Sequence, residues 1–226
     1  MTVSLTRQLA GEFAGTALLL ATVIGSGIMG ERLAGGNIAI ALLANTLATG
    51  TILYVLINCF GRISGAHFNP VVTLCAALQG LFPWHSTGLY LAAQILGALL
   101  GVAAAHWMFG LPTYFPSEHV RTGPAQWWSE IVATFGLMLV ILGSGRFKPD
   151  AVAASVGAYI AAAYWFTAST SFANPAVTIA RSMSDTFSGI RPADAPAFVL
   201  AQMTGAILAL GFWKWLSKDA ASARPW

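Results

Sequence analysis

Charge is what this chain has least of. Asp, Glu, Lys and Arg make up 8% of its 226 residues, where a soluble domain carries roughly a quarter. A content of 57% hydrophobic residues and a mean hydropathy of +0.70 suit lipid as the solvent. The basic residues stand singly or in pairs, and a net charge of +3 without a basic run gives nucleic-acid binding little to rest on. Cysteine is nearly missing too. Cys59 and Cys75, both at edges of apolar stretches, point to packed thiols rather than a disulfide framework. The start of the chain, Thr2 to Glu12, lacks the charged segment, short apolar core and small-residue cleavage site of a removable signal, so the first apolar stretch is expected to stay as a span. No phosphate-binding loop, metal-ligand cluster or nucleophile–base pairing stands out. An enzyme, a cofactor and a bound metal are therefore not expected.

Long apolar runs are what the chain has in plenty. A bilayer core of about 30 Å needs about 20 helical residues, and Leu9–Met29, Ile38–Ile57, Thr87–Phe109, Trp127–Gly143, Val152–Ala168 and Pro196–Leu216 meet this, the fourth and fifth at the short end. Two more apolar pieces, Pro70–Leu78 and Pro175–Met183, are too short to cross. Short interrupted segments at matching places mark half-helices dipping into the membrane, and such breaks are tolerated only where backbone is buried in protein or lines a wet cavity. With the N-terminus inside, Arg7, Arg62, Arg146, Lys148, Lys214, Lys218 and Arg224 fall on the inner side, against Arg32, Arg121, Arg181 and Arg191 outside. That excess favours both termini in the cytoplasm.

The chain also repeats itself. HFNPVVTL (His67–Leu74) returns 105 residues later within FANPAVTIAR (Phe172–Arg181). Glu12 to Thr16, ending at Gly25-Ser-Gly27, matches Glu130 to Thr134, ending at Gly143-Ser-Gly145. Ala93-Gln94 with Gly97-Ala98 matches Ala201-Gln202 with Gly205-Ala206. Each half, about 7–110 and 125–217, thus holds three spans and one re-entrant piece. Three is odd, so the second copy enters from the opposite face and the two Asn-Pro segments approach the midplane from opposite sides. The expected fold is an all-α membrane protein, one channel domain over residues 1–226 with six transmembrane helices and two half-helices.

With these paired motifs the chain resembles a major intrinsic protein, the aquaporin and aquaglyceroporin family, over essentially its whole length. The resemblance rests on Ser64-Gly-Ala-His67-Phe-Asn69-Pro70, Asn174-Pro175-Ala176, the paired Glu-x-x-x-Thr motifs and the Gln-x-x-Gly-Ala pairs. It implies a passive pore for water and small neutral solutes, and a homotetramer in lipid.

The chemistry of the repeated segments agrees. Asparagine is a favoured N-cap and proline suits the first helical position. If Asn69 and Asn174 cap their half-helices, each carboxamide oxygen is occupied and its NH₂ is free for the pore beside Pro70, Val71, Pro175 and Ala176. Two helix N-termini meeting there, each worth roughly half a positive charge, oppose cations and interrupt a proton wire. The stretches before each Asn, Gly65–Phe68 and Ser171–Ala173, cannot be helical, and carbonyls of Gly65, Ala66, His67, Phe172 and Ala173 would be satisfied by passing water or polyol hydroxyls. This resembles the family's carbonyl ladder. For His67 a spacer or loop-anchoring role is favoured over proton transfer.

Glu12 and Glu130 are carboxylates inside apolar spans, and two roles compete. They would be exchangeable groups of a proton-coupled carrier or acceptors that pin the re-entrant loops. Their equivalent placement favours the second, and the resemblance implies the same. Family spacing from the asparagines places an outer filter at Thr49, Ala162, Ser171 and Val177. The family's usual set has an aromatic first, His or Gly second and Arg fourth. Small neutral residues here imply a wider opening, open to linear polyols, urea or the trihydroxides of arsenic and antimony; a water-dominant pore is the alternative. Arg181, four residues past Val177, would overhang the mouth or snorkel to headgroups, the latter favoured. Gly11-x-x-x-Gly15 and Gly97-x-x-x-Gly101 suit close helix approach, and Trp84, Trp127, Trp128 and Trp226 suit interfacial belts. A compact chain without tails is expected in a bacterial inner membrane.

Overall fold

The structure, a computed structural model, describes residues 3–218, so Arg224 and Trp226 lie outside the described residues. Every apolar run becomes a helix. The spans are α1 (Leu5–Leu33), α2 (Ile38–Ser64), α4 (Trp84–Met108), α5 (Pro124–Phe147), α6 (Val152–Phe166) and α8 (Ala195–Leu216). Between them lie the half-helices α3 (Pro70–Leu78) and α7 (Pro175–Arg181).

Local chemistry sets the boundaries. Asn37 caps α2 by accepting from the amides of Ala39 and Ile40, and Gly65 ends that helix at a φ of 89° that side-chain-bearing residues avoid. Pro124, Pro70 and Pro175 occupy first helical turns, where a missing N–H costs nothing. Most spans run past their apolar cores into polar flanks. The exception is α6: its 15 residues reach only about 22 Å, and a short 3₁₀ turn, Pro149–Ala151, precedes it. The helix ends at Phe166, two residues before the expected Ala168, because Thr167–Ala173 are taken up by the second re-entrant loop.

Small residues draw the helices together. A Cβ on Gly97 would stand 2.3 Å from the Phe13 carbonyl of α1, and one on Gly205 2.3 Å from the Ile131 carbonyl of α5. α4 therefore packs on α1 as α8 packs on α5. Gly50 and Gly157 meet likewise where α2 crosses α6, and Gly15 makes room for the Phe68 ring. The outward faces carry Leu47, Leu96, Leu200 and Ile207, all exposed, as lipid contact requires. Trp84, Trp127 and Trp128 are exposed at the starts of α4 and α5. The packed-thiol expectation holds for Cys75, which is buried; Cys59 is exposed on α2, whose outer face it shares with Tyr54 and Val55.

Candidate functional site

The two re-entrant loops are held by the same set of hydrogen bonds, written twice. Glu12 Oε1 accepts from Ser64 Oγ (2.7 Å) and the His67 amide (2.9 Å), and its Oε2 from the Phe68 amide (2.7 Å) and Gln94 Nε2 (2.8 Å). Glu130 Oε1 accepts from Ser169 Oγ (2.6 Å) and the Phe172 amide (2.9 Å), and its Oε2 from the Ala173 amide (2.9 Å) and Gln202 Nε2 (2.6 Å). Gln94 and Gln202 also donate to Thr73 and Thr178 on the half-helices. Both carboxylates are fully buried with four donors apiece, so each is occupied as an acceptor. This network holds backbone that would not stand alone: Ala66, Phe68, Thr170, Ser171 and Ala173 all have φ between 48° and 60°.

Where the loops meet, each asparagine caps its own half-helix and reaches into the opposite loop. Asn69 Oδ1 accepts from the Val71 amide, and Asn174 Oδ1 from those of Ala176 and Val177. Asn69 Nδ2 donates to the Ala173 carbonyl and Asn174 Nδ2 to the Phe68 carbonyl, both at 2.8 Å. This corrects the expectation that each NH₂ is wholly free. One hydrogen of each ties the two half-helices together, which leaves one donor per asparagine. It also removes Ala173 from the row of open carbonyls. Within the loops 65–68 and 170–173 the carbonyls without a donor among the described residues are those of Gly65, Ala66 and His67 and, 105 positions on, Thr170, Ser171 and Phe172. Thr170, the repeat counterpart of Gly65, is not among the residues that line the cavity. His67 anchors its loop: its Nδ1 lies 3.0 Å from Thr73 Oγ1 and its ring packs on Phe82 and Tyr90.

A cavity of about 530 Å³ runs along these groups. At one end it opens between Gln79, Leu81, Arg146 and Trp213, and it passes both asparagines to Thr49, Tyr164 and Val177 at the other. Its walls are mostly apolar, with Leu53, Ile57, Val72 and Ile160 facing the polar column. A solute that exchanges hydrogen bonds along one side and slides on hydrocarbon along the other fits such a path.

The outer end differs from the sequence-based set at one position. Thr49, Ser171 and Val177 line the cavity, but Ala162 is exposed on the outside of α6. The cavity face of α6 is Val152, Val156, Ile160 and Tyr164, a run at four-residue spacing, and Ala162 lies two residues off it, on the opposite side of the helix. Tyr164 takes the place, with its hydroxyl 3.3 Å from Thr49 Oγ1. Ser171 Oγ is buried with no partner among the described residues.

Arg181 departs from both of its expected positions. It does not snorkel, being 2% exposed, and it is absent from the cavity lining at the mouth. Helical side chains lean toward the N-terminus, and this one folds back so that its guanidinium covers the Phe172 ring at 3.4 Å from the centroid, with Nε donating to the Ser188 carbonyl. In the loop between α4 and α5, partial burial and then the Arg121 and Arg181 cations lower the pKa of His119, with Asp185 opposing.

Six spanning helices around a polar-striped path, with two half-helix starts meeting beside its middle, define the architecture of a transmembrane channel. The family sequence model described as Major intrinsic protein matches residues 1–148. Over 216 residues the chain is 55% identical to aquaglyceroporin AqpS of Rhizobium meliloti (strain 1021), covering 96% of this chain and 92% of that one. It is 30% identical to the probable aquaporin AqpM of Archaeoglobus fulgidus, covering 97% of this chain and all of that one. The X-ray structure of the aquaglyceroporin from Plasmodium falciparum superposes with a TM-score of 0.76 at 22% identity, over 97% of this chain and all of that one, which bears on the fold. The chain belongs to the major intrinsic protein family.

Proposed function

We propose that the protein is a passive channel for water and small uncharged solutes, with glycerol, urea and the trihydroxides of arsenic or antimony inside its size range. One observation carries this reading. The donor-free carbonyls of Gly65, Ala66, His67, Ser171 and Phe172 belong to residues lining one continuous, mostly apolar cavity, beside Asn69 and Asn174 with a spare amide hydrogen each. The 55% identity to a protein named an aquaglyceroporin supports glycerol in particular. In this reading Asn69, Asn174 and the turns that follow them, Pro70-Val71 and Pro175-Ala176, form the midplane gate. Thr49, Tyr164, Ser171 and Val177 form the outer filter, and Glu12 and Glu130 are scaffold. The two repeats act as one channel domain, assembled as a homotetramer in a bacterial inner membrane with both termini cytoplasmic; the excess of inner Lys and Arg supports that orientation.

A water-dominant pore is the second reading, and Tyr164 is the observation in its favour. An aromatic ring narrows the outer end beyond what an alanine at that place would. A proton-coupled carrier has less support, because both buried carboxylates are saturated with donors. Stopped-flow swelling of proteoliposomes in water, glycerol, urea and arsenite gradients separates the readings. Glycerol permeation well above protein-free vesicles supports the broad channel; water flux without glycerol flux leaves only the narrow one.

A further inference from the structure

Two arginines at the outer end of the cavity are buried without an acidic partner. Arg121, in the loop between α4 and α5, is 8% exposed and Arg181 2%. The salt bridge found among the described residues, Arg191 with Asp194, involves neither. Both flank one ring: their guanidinium carbons lie 5.2 and 3.4 Å from the centroid of Phe172, a residue that lines the cavity. Arg121 donates through Nε to the Gly189 carbonyl (2.8 Å) and through Nη1 to that of Ser169 (3.2 Å), while Arg181 donates through Nε to that of Ser188. The nearby acids are engaged elsewhere. Glu130 holds its four donors, Asp185 accepts from Ser117 and Glu118, and Asp194 accepts from the Arg121 backbone amide and from Arg191. Arg181 Nη1 is enclosed with no acceptor among the described residues.

Carbonyls satisfy hydrogen bonds but leave net charge. Neutral donors likewise leave the Glu130 carboxylate its charge, but two guanidinium groups against that one nearby anion leave a net positive charge behind the wall, which in a weakly screening surround raises the energy of any cation that reaches Ser171 and Phe172. An uncharged solute feels little of this, and the lumen is not narrowed. We propose that Arg121 and Arg181 form a cationic collar behind the outer constriction that excludes cations, so that charge selectivity is set from behind the wall while Val177 and Tyr164 set size. The collar rests on the channel reading above. It assigns Arg121, which the sequence placed only as an outer-loop charge, a share in selectivity.

The test uses the full chain in proteoliposomes, with water and glycerol followed by light scattering and sodium and proton leak by entrapped fluorescent indicators. Arg121→Gln and Arg181→Gln keep N–H donors and remove the charge; the corresponding Lys variants keep the charge and lose the fork. Each Gln variant is expected to raise cation permeability relative to water by about tenfold or more, the double variant further, with the glycerol-to-water ratio unchanged. The Lys variants should exclude cations as the native chain does. Gln variants that pass water normally and still exclude cations overturn the collar. Should the Gln variants fail to fold, Val177→Asp decides instead: a carboxylate one turn from Arg181 should cancel part of the field and raise cation leak, and unchanged leak counts against the collar. A native chain that passes no water fails the channel reading itself, which is a separate outcome.

Discussion

Replacing Glu130 by Gln puts a number on what the carboxylate does. The charged side chain accepts four hydrogen bonds, from Ser169, Phe172, Ala173 and Gln202. An amide of the same shape keeps one oxygen, which can still accept from Ser169 and Phe172. Its NH₂ then faces two donors. Gln202 can turn, because its Oε1 lacks a partner, but the Ala173 amide has no alternative in a fully buried place. One orphaned backbone donor costs about 1–3 kcal/mol, and the lost charge weakens the bonds that remain, so about 3 kcal/mol or more is expected. At about 2–4 °C per kcal/mol for a chain of this size, the melting midpoint should fall by roughly 6–12 °C. Thermal unfolding of the purified protein in detergent, followed by circular dichroism, measures it. The equivalent Glu12→Gln should behave alike, since the donor set is repeated. A variant that melts like the native protein but acquires or loses pH-dependent flux would refute the scaffold role and favour a proton-coupled carboxylate.

Other outcomes follow from the same geometry. Val177→Arg places a long cation at the outer constriction and should cut glycerol flux at least several-fold more than water flux, read by swelling in the two gradients. Tyr164→Ala should raise the permeability of polyols larger than glycerol, whereas Ala162→Leu, on the outer face of α6, should leave every flux unchanged. Gly205→Val sets side-chain atoms into the Ile131 carbonyl and should abolish folded protein in fluorescence-detected size exclusion, while Gly88→Ala, which meets nothing, should be silent. Burial and the Arg121 and Arg181 cations lower the pKa of His119, so its protonation is shifted to more acid pH; glycerol flux should be flat between about pH 7.5 and 8.5, and any change on acidification that His119 causes should vanish in His119→Gln.

The parts legible in the sequence were those fixed by local chemistry or by repetition. Apolar length gave the spans, Asn-Pro gave the start of each half-helix, and α3 begins and ends where hydropathy placed it, at Pro70 and Leu78. The Glu-x-x-x-Thr and Gln-x-x-Gly-Ala pairs matched α1 with α5 and α4 with α8, yet their meaning as donors and acceptors around the loops needed the fold. What spacing could not supply was rotation. Ala162 was placed by counting through a loop, and two residues on a helix amount to about 200°, enough to turn lumen into outer face. Arg181 was placed by counting one turn past Val177, but the direction of its long side chain depends on Phe172 and Ser188, which come near only in the folded chain. The cross-link from Asn69 to Ala173 and from Asn174 to Phe68 joins residues more than a hundred apart in the chain, and no local pattern announces it.

The central claim is passive permeation through an opening wider than a water pore, and the initial rate of glycerol entry into proteoliposomes tests it most directly. The rate should rise in proportion to the glycerol gradient without saturating and should be the same with and without an imposed pH gradient. Saturable uptake driven by the pH gradient, or vesicles that swell in water yet exclude glycerol, would contradict it.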